Sequence, residues 1–122
     1  MNTIFNSHQV EKEELARTAL YEAICFRNPF TQIVMQFIQH HLDSIPADYW
    51  TSHFGSPKPS TEQIINKLEL DDRYFLNSDN LTAEEIAFHA NHLDFILPAD
   101  ASPYALCVSF ELGQPYSISI VN

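Results

Sequence analysis

Glycine is nearly absent from the sequence: only Gly55 and Gly113 occur in 122 residues. A glycine-rich phosphate loop needs several glycines within a few positions, so such loops are excluded and a nucleotide-binding enzyme of the usual kinds is not expected. There is also no Gly-x-Ser-x-Gly elbow to raise a nucleophilic serine. Basic residues are scarce as well. Lys12, Arg17, Arg27, Lys58, Lys67 and Arg73 are scattered along the chain, and no basic stripe exists to follow a phosphate backbone. Cysteine is limited to Cys25 and Cys107. A small secreted domain usually carries a denser disulfide framework, so two buried free thiols in a reducing compartment are expected. No apolar run approaches the ~20 residues that span a bilayer. Met1 to Ser7 lacks the basic and apolar regions of a signal peptide. The expected location is the cytoplasm, without contact to membrane or nucleic acid.

Acid is abundant. Sixteen Asp and Glu face six Lys and Arg, a formal net charge of −10. Such a field repels polyanions and draws basic surfaces, although acidity also serves solubility alone. Hydrophobic residues make up 45% of the chain, enough for one core in a single domain spanning 1–122.

The first half reads as helical, over about 7–70. Ser7 is a candidate N-cap, and Leu15, Ala16, Ala19, Leu20, Ala23 and Ile24 form an apolar stripe. Asn28-Pro29 interrupts it, and Pro29 suits the first position of a second helix. There Phe30, Val34, Phe37, Ile38, His41 and Ile45 share one side, widened by Ile33, Met35 and Leu42, and Pro46 ends the helix. Ala47 to His53 can form a short helix, Gly55 to Pro59 a loop, and Ser60 or Thr61 opens a helix with Ile64, Ile65 and Leu68 inside.

After residue 84 the period changes to two. Ile86, Phe88 and Ala90; Leu93, Phe95 and Leu97; Leu106, Val108 and Phe110; and Tyr116, Ile118 and Ile120 each alternate with their neighbours. This predicts a half-buried antiparallel meander of three to four strands over about 84–122. Thr82 to Glu85 is also a capping-box pattern, so 82–90 stays open between helix and strand. A sheet with one apolar face needs a cover, and the helices supply it. The fold class is therefore α+β, with N-terminal helices packed on one face of a C-terminal meander.

Catalytic chemistry finds little support. His40 and His41 are adjacent and point to different helix faces. A metal-dependent hydrolase would need Glu85, His89 and His92 to converge, and a site of known type takes three or four ligands. Cys25 and Cys107 lie in apolar patterns, where thiols are inert. No catalytic residue, metal ligand or cofactor site is assigned. The carboxylates instead gather from Glu69 to Asp100. Glu69, Asp71, Asp72, Asp79, Glu84, Glu85 and Asp94 around the aromatic Tyr74 have the anatomy of a protein interface, a charged rim around an anchor. Tyr74 and its neighbour Phe75 are equally eligible for the core. A basic partner such as a nuclease is the natural complement. A homodimer through a sheet edge or helix face is the alternative.

The segments His92 to Leu97, Tyr104 to Phe110 and Ser117 to Ile120 resemble the closing strands of a family of small acidic bacterial proteins of unknown function. In size and charge the whole chain is similar to immunity proteins of polymorphic toxin and contact-dependent inhibition systems. The resemblance covers the last third of the chain, departs in the Asn77-to-Thr82 loop, and carries no functional residue over. It implies a cytoplasmic protein that neutralises a cognate toxin.

Overall fold

The structure, a computed structural model, describes residues 3–71, 82 and 91–122, with side chains described for 11–71, 82 and 91–122. Among the described residues the order is α1 (Thr3–Cys25), α2 (Thr31–Ser44), α3 (Ala47–Phe54), α4 (Thr61–Lys67), β1 (Glu69–Leu70), β2 (His92–Ile96), β3 (Ala105–Glu111) and β4 (Gln114–Val121). The strands form one antiparallel sheet in the order β1-β2-β3-β4. The fold is α+β, as the change of period predicts. No helix among the described residues is long and apolar enough to cross a membrane.

Local chemistry sets the helix ends, and two differ from expectation. α1 begins at Thr3 rather than Ser7, since no proline or glycine between them stops the helix. α2 begins at Thr31, so Pro29 is not its first residue. The Asn28 side chain accepts the Phe30 N–H at 2.8 Å, and Thr31 Oγ1 accepts the Asn28 N–H at 3.0 Å. That turn uses up Pro29 before the helix starts. Ile45, ahead of Pro46, is extended, as a residue before proline prefers. α3 closes on Gly55, whose φ of 77° is left-handed and whose N–H bonds Thr51 O at 3.0 Å. α4 opens with a complete capping box: Gln63 N–H donates to Ser60 Oγ at 3.2 Å, and Ser60 N–H donates to Gln63 Oε1 at 2.8 Å.

The core lies between the helices and one sheet face. Ala16, Leu20 and Ala23 of α1, Val34, Phe37 and Ile38 of α2, and Ile64 and Ile65 of α4 meet Leu93, Phe95, Leu106, Val108 and Ile118. Trp50 of α3 is buried in the same cluster, its Nε1–H donating to Ile45 O at 3.2 Å. Cys25 is exposed, against expectation. It stands two positions beyond buried Ala23, about 200° around the helix. Met35 is also exposed, outside the face set by Val34, Phe37 and Ile38.

The sheet departs from the expected pattern in two places. β3 is buried on both faces from Ala105 to Phe110, because it is an inner strand and carries the small residues Ala105, Cys107 and Ser109 on its second face. β1 belongs to a region read as helical. Leu70 pairs with Phe95 and Glu69 with Ile96, and a two-residue strand is too short to show a period. The expected strand or helix at 82–90 lies outside the described residues, apart from Thr82. β3 and β4 join through Leu112 and Gly113, both at positive φ (53° and 78°). That is the hairpin turn whose twist matches the strands.

Arg17 joins the layers. Its side chain bonds Glu13 at 2.8 Å and Leu68 O at 2.8 Å, and its guanidinium lies 5.0 Å from the centre of the Phe95 ring. The Glu13 pair is half exposed and contributes little. The Leu68 carbonyl and the ring contact matter more, since they hold the α4–β1 junction against α1. Arg17→Ala is expected to cost about 1–2 kcal/mol. The check is a lower urea midpoint at unchanged slope, and Glu13→Ala should cost less.

Candidate functional site

The short β1 pairing brings acidic residues together. Asp71 N–H donates to Asp94 O at 2.8 Å, which sets the two residues side by side at the end of the β1–β2 ladder. Beyond β2 the chain turns through a 3-10 segment, Pro98–Asp100. Ala99 and Asp100 there take φ of 63° and 50°, a conformation that costs a non-glycine residue on the order of 1 kcal/mol. The turn is held from outside itself. Tyr49 Oη donates to Pro98 O at 2.8 Å, and Ser102 is tied to His41. The result is a concavity of about 440 Å³ lined by Asp71, Asp94 and Asp100 together with Ser102, Ala105 and Val121.

Of the residues singled out in the sequence, the structure joins Asp71 and Asp94 directly and leaves Glu69 exposed next to them on β1. Asp72, Tyr74, Asp79, Glu84 and Glu85 lie outside the described residues, as does Phe75. Asp100, from the end of the acidic run, completes the concavity.

The His41 contact was not legible in the sequence, where this residue reads only as part of an apolar helix face. It is 2% exposed. Its Nδ1 lies 2.6 Å from Phe37 O and its Nε2 lies 2.7 Å from Ser102 Oγ. A carbonyl only accepts, so Nδ1 carries the proton and Nε2 accepts from the serine hydroxyl. Ser102 Oγ in turn accepts the Tyr104 N–H at 3.1 Å. Burial pushes the His41 pKa below its ordinary value, opposed by the Phe37 carbonyl and reinforced by His40. The neutral ring thus pins the 98–104 loop to α2.

Cys107 lies beside the acidic concavity on the same sheet face, opposite Asp94 in the β2–β3 register and opposite Ser119 in the β3–β4 register. Burial and then the neighbouring Asp94 carboxylate push its thiol up to about 12, against the lowering effect of hydrogen bonds to Ser109 and Ser119. A thiol held protonated is a poor nucleophile, so its chemistry here is hydrogen bonding. Tyr49 is pushed up to about 12 by burial and by the Glu69 charge, which keeps its hydroxyl a donor to the turn. Among the described residues, no group of three His, Cys, Asp or Glu side chains is placed to hold a metal ion.

Two measurements check these assignments. The depressed His41 pKa means that the unfolded chain takes up the proton first. Its contribution to stability is present above the unfolded value near 6.5 and is lost as pH falls below it. Between about pH 7.5 and 5 the urea midpoint is expected to fall less in His41→Gln than in the native chain. For the thiols, iodoacetamide at about pH 8 should modify exposed Cys25 and spare Cys107 until the chain is unfolded. No family model, curated protein or solved structure matches this chain.

Proposed function

We propose that this protein is a non-catalytic binding module of the immunity type, one that neutralises a cognate basic toxin in the cytoplasm by occluding it. The observation that carries the reading is the convergence of Asp71, Asp94 and Asp100 on one concavity, with Glu69 exposed at its side. It occurs in a chain of net charge −10. Converging carboxylates at a recess complement a basic protrusion on a partner, and the field of the whole chain steers that partner inward. The site sits on a sheet edge and on a turn held by Tyr49 and His41, so its geometry is set before binding, which reduces the ordering cost of association. A nuclease fits as partner, because its own surface must be basic to hold nucleic acid. No chemistry by the module is required.

Tagged protein incubated at low salt with lysate of its native host, followed by mass spectrometry, is expected to retain one basic protein that high salt releases. With that pair purified, Glu69→Lys combined with Asp71→Lys should slow association about tenfold at low salt and flatten its salt dependence. Glu111→Lys, at the end of β3 away from the concavity, should leave the rate near its native value. Asp94→Asn is the preferred change at that position, since it spares the hydrogen bond with Cys107. Retention of no basic protein, or rates indifferent to the double reversal, would defeat the reading.

A further inference from the structure

The two edges of the sheet are built differently. β1 is two residues long, begins with Glu69 and is followed by Asp71, and short length and charge both discourage pairing with another strand. β4 runs for eight residues, Gln114–Val121, without one charged side chain. Its beginning is protected by Pro115 and by a bulge between Ser109 and Phe110 that leaves Tyr116 without a partner on β3. Among the described residues, none of the usual edge protections occurs from Ser117 to Val121. Among the described residues no strand pairs with this outer edge.

The outward groups of that edge follow from the register. Phe110 N–H donates to Asn91 O at 2.8 Å, so Phe110 turns its backbone groups away from β4. Antiparallel bonding alternates along a strand. Ser109, Cys107 and Ala105 therefore bond towards β4, where their partners are Ser117, Ser119 and Val121. The N–H and C=O of Ile118 and Ile120 are left facing outward.

We infer that β4 is a homodimer edge, pairing antiparallel with β4 of a second copy about a two-fold axis at Ile118. The two Ile118 residues then exchange their outward hydrogen bonds. Ser117 stands opposite Ser119 of the second copy, and Tyr116 stands opposite Ile120. An aromatic opposite a β-branched residue is a favourable cross-strand pair. Tyr116 is 54% exposed in the single chain, and Ile120 lines a concavity of about 260 Å³ with Phe37, His40, His41 and Tyr104. The register places the second copy's tyrosine at the mouth of that recess. A second copy is favoured over a foreign strand because the stretch is self-complementary about Ile118. It is also the extended strand at which a chain of net charge −10 meets its own copy with no like charges opposed. The inference stands independently of the toxin-binding reading, and salt separates them. Screening of the remaining surface strengthens this dimer, whereas it weakens the toxin complex.

Sedimentation equilibrium on the intact protein tests the inference. A monomer–dimer equilibrium that tightens with added salt is expected. Ser117→Glu with Ser119→Glu opposes like charges at two symmetric pairs and should weaken the dimer about tenfold. Ser117→Lys with Ser119→Glu, at the same two positions, sets opposite charges across the axis and should retain it. Matching near-ultraviolet circular dichroism would show both variants folded. A native chain that stays monomeric at its solubility limit in high salt overturns the inference, and so does a dimer indifferent to the double glutamate. Equal weakening by both variants overturns the Ile118 register.

Discussion

The apolar face of the sheet is the constraint on which the rest of the structure depends. Leu93, Phe95, Leu106, Val108 and Ile118 all project to one side, and a sheet face of this kind is stable only under cover. The stripe Ala16, Leu20 and Ala23 on α1 and the face Val34, Phe37 and Ile38 on α2 supply it. Once the two layers meet, the junctions between them are fixed. Arg17 reaches from α1 to the end of α4, and α4 delivers the chain directly into β1.

The acidic site is a consequence of that delivery. β1 exists because the chain leaving α4 falls beside β2, and only two residues pair before it departs. The departure leaves Asp71 beside Asp94 at the end of the ladder. The rest of the concavity is fixed from the helices. Tyr49 and His41 hold the turn that carries Asp100 and Ser102, and both make those contacts as neutral groups. Cys107 is held protonated beside Asp94, so the concavity gathers carboxylates without a neighbouring thiolate adding to them.

Much of the fold was legible in the sequence because it rests on periodicity. The α1 and α2 stripes, the capping serine of α4 and the alternation in β2 follow from spacing alone. What stayed hidden depends on contacts distant in sequence. β1 is too short to have a period, and its strand character comes from Ile96 and Phe95, twenty-five and more positions away. The α2 start shifted because one side chain, Asn28, captured a backbone N–H. Cys25 was expected inside because its neighbours are apolar, yet the helix phase turns it outward. For the site, the composition indicated acid along 69–100, and among the described residues Asp71, Asp94 and Asp100 line one concavity. His41 could not be read as a pin, since its partner Ser102 lies sixty-one positions on.

The two ends of the sheet face opposite physical problems. At β1, charge is concentrated and the strand is short, so backbone pairing with another chain is discouraged while a basic protrusion is attracted. At β4, charge is absent and backbone groups of Ile118 and Ile120 point outward, so pairing is open and electrostatic steering is weak. One field acts on both. The net charge of −10 strengthens attraction of a basic partner to the β1 end and opposes approach of a second copy to the β4 end. Salt would therefore shift the two proposed associations in opposite directions. The concavity runs across the sheet from Asp71 to Val121 at the end of β4, whereas the proposed two-fold axis stands three residues back at Ile118, so occupancy of the concavity and pairing of β4 would meet only at that strand's last residues.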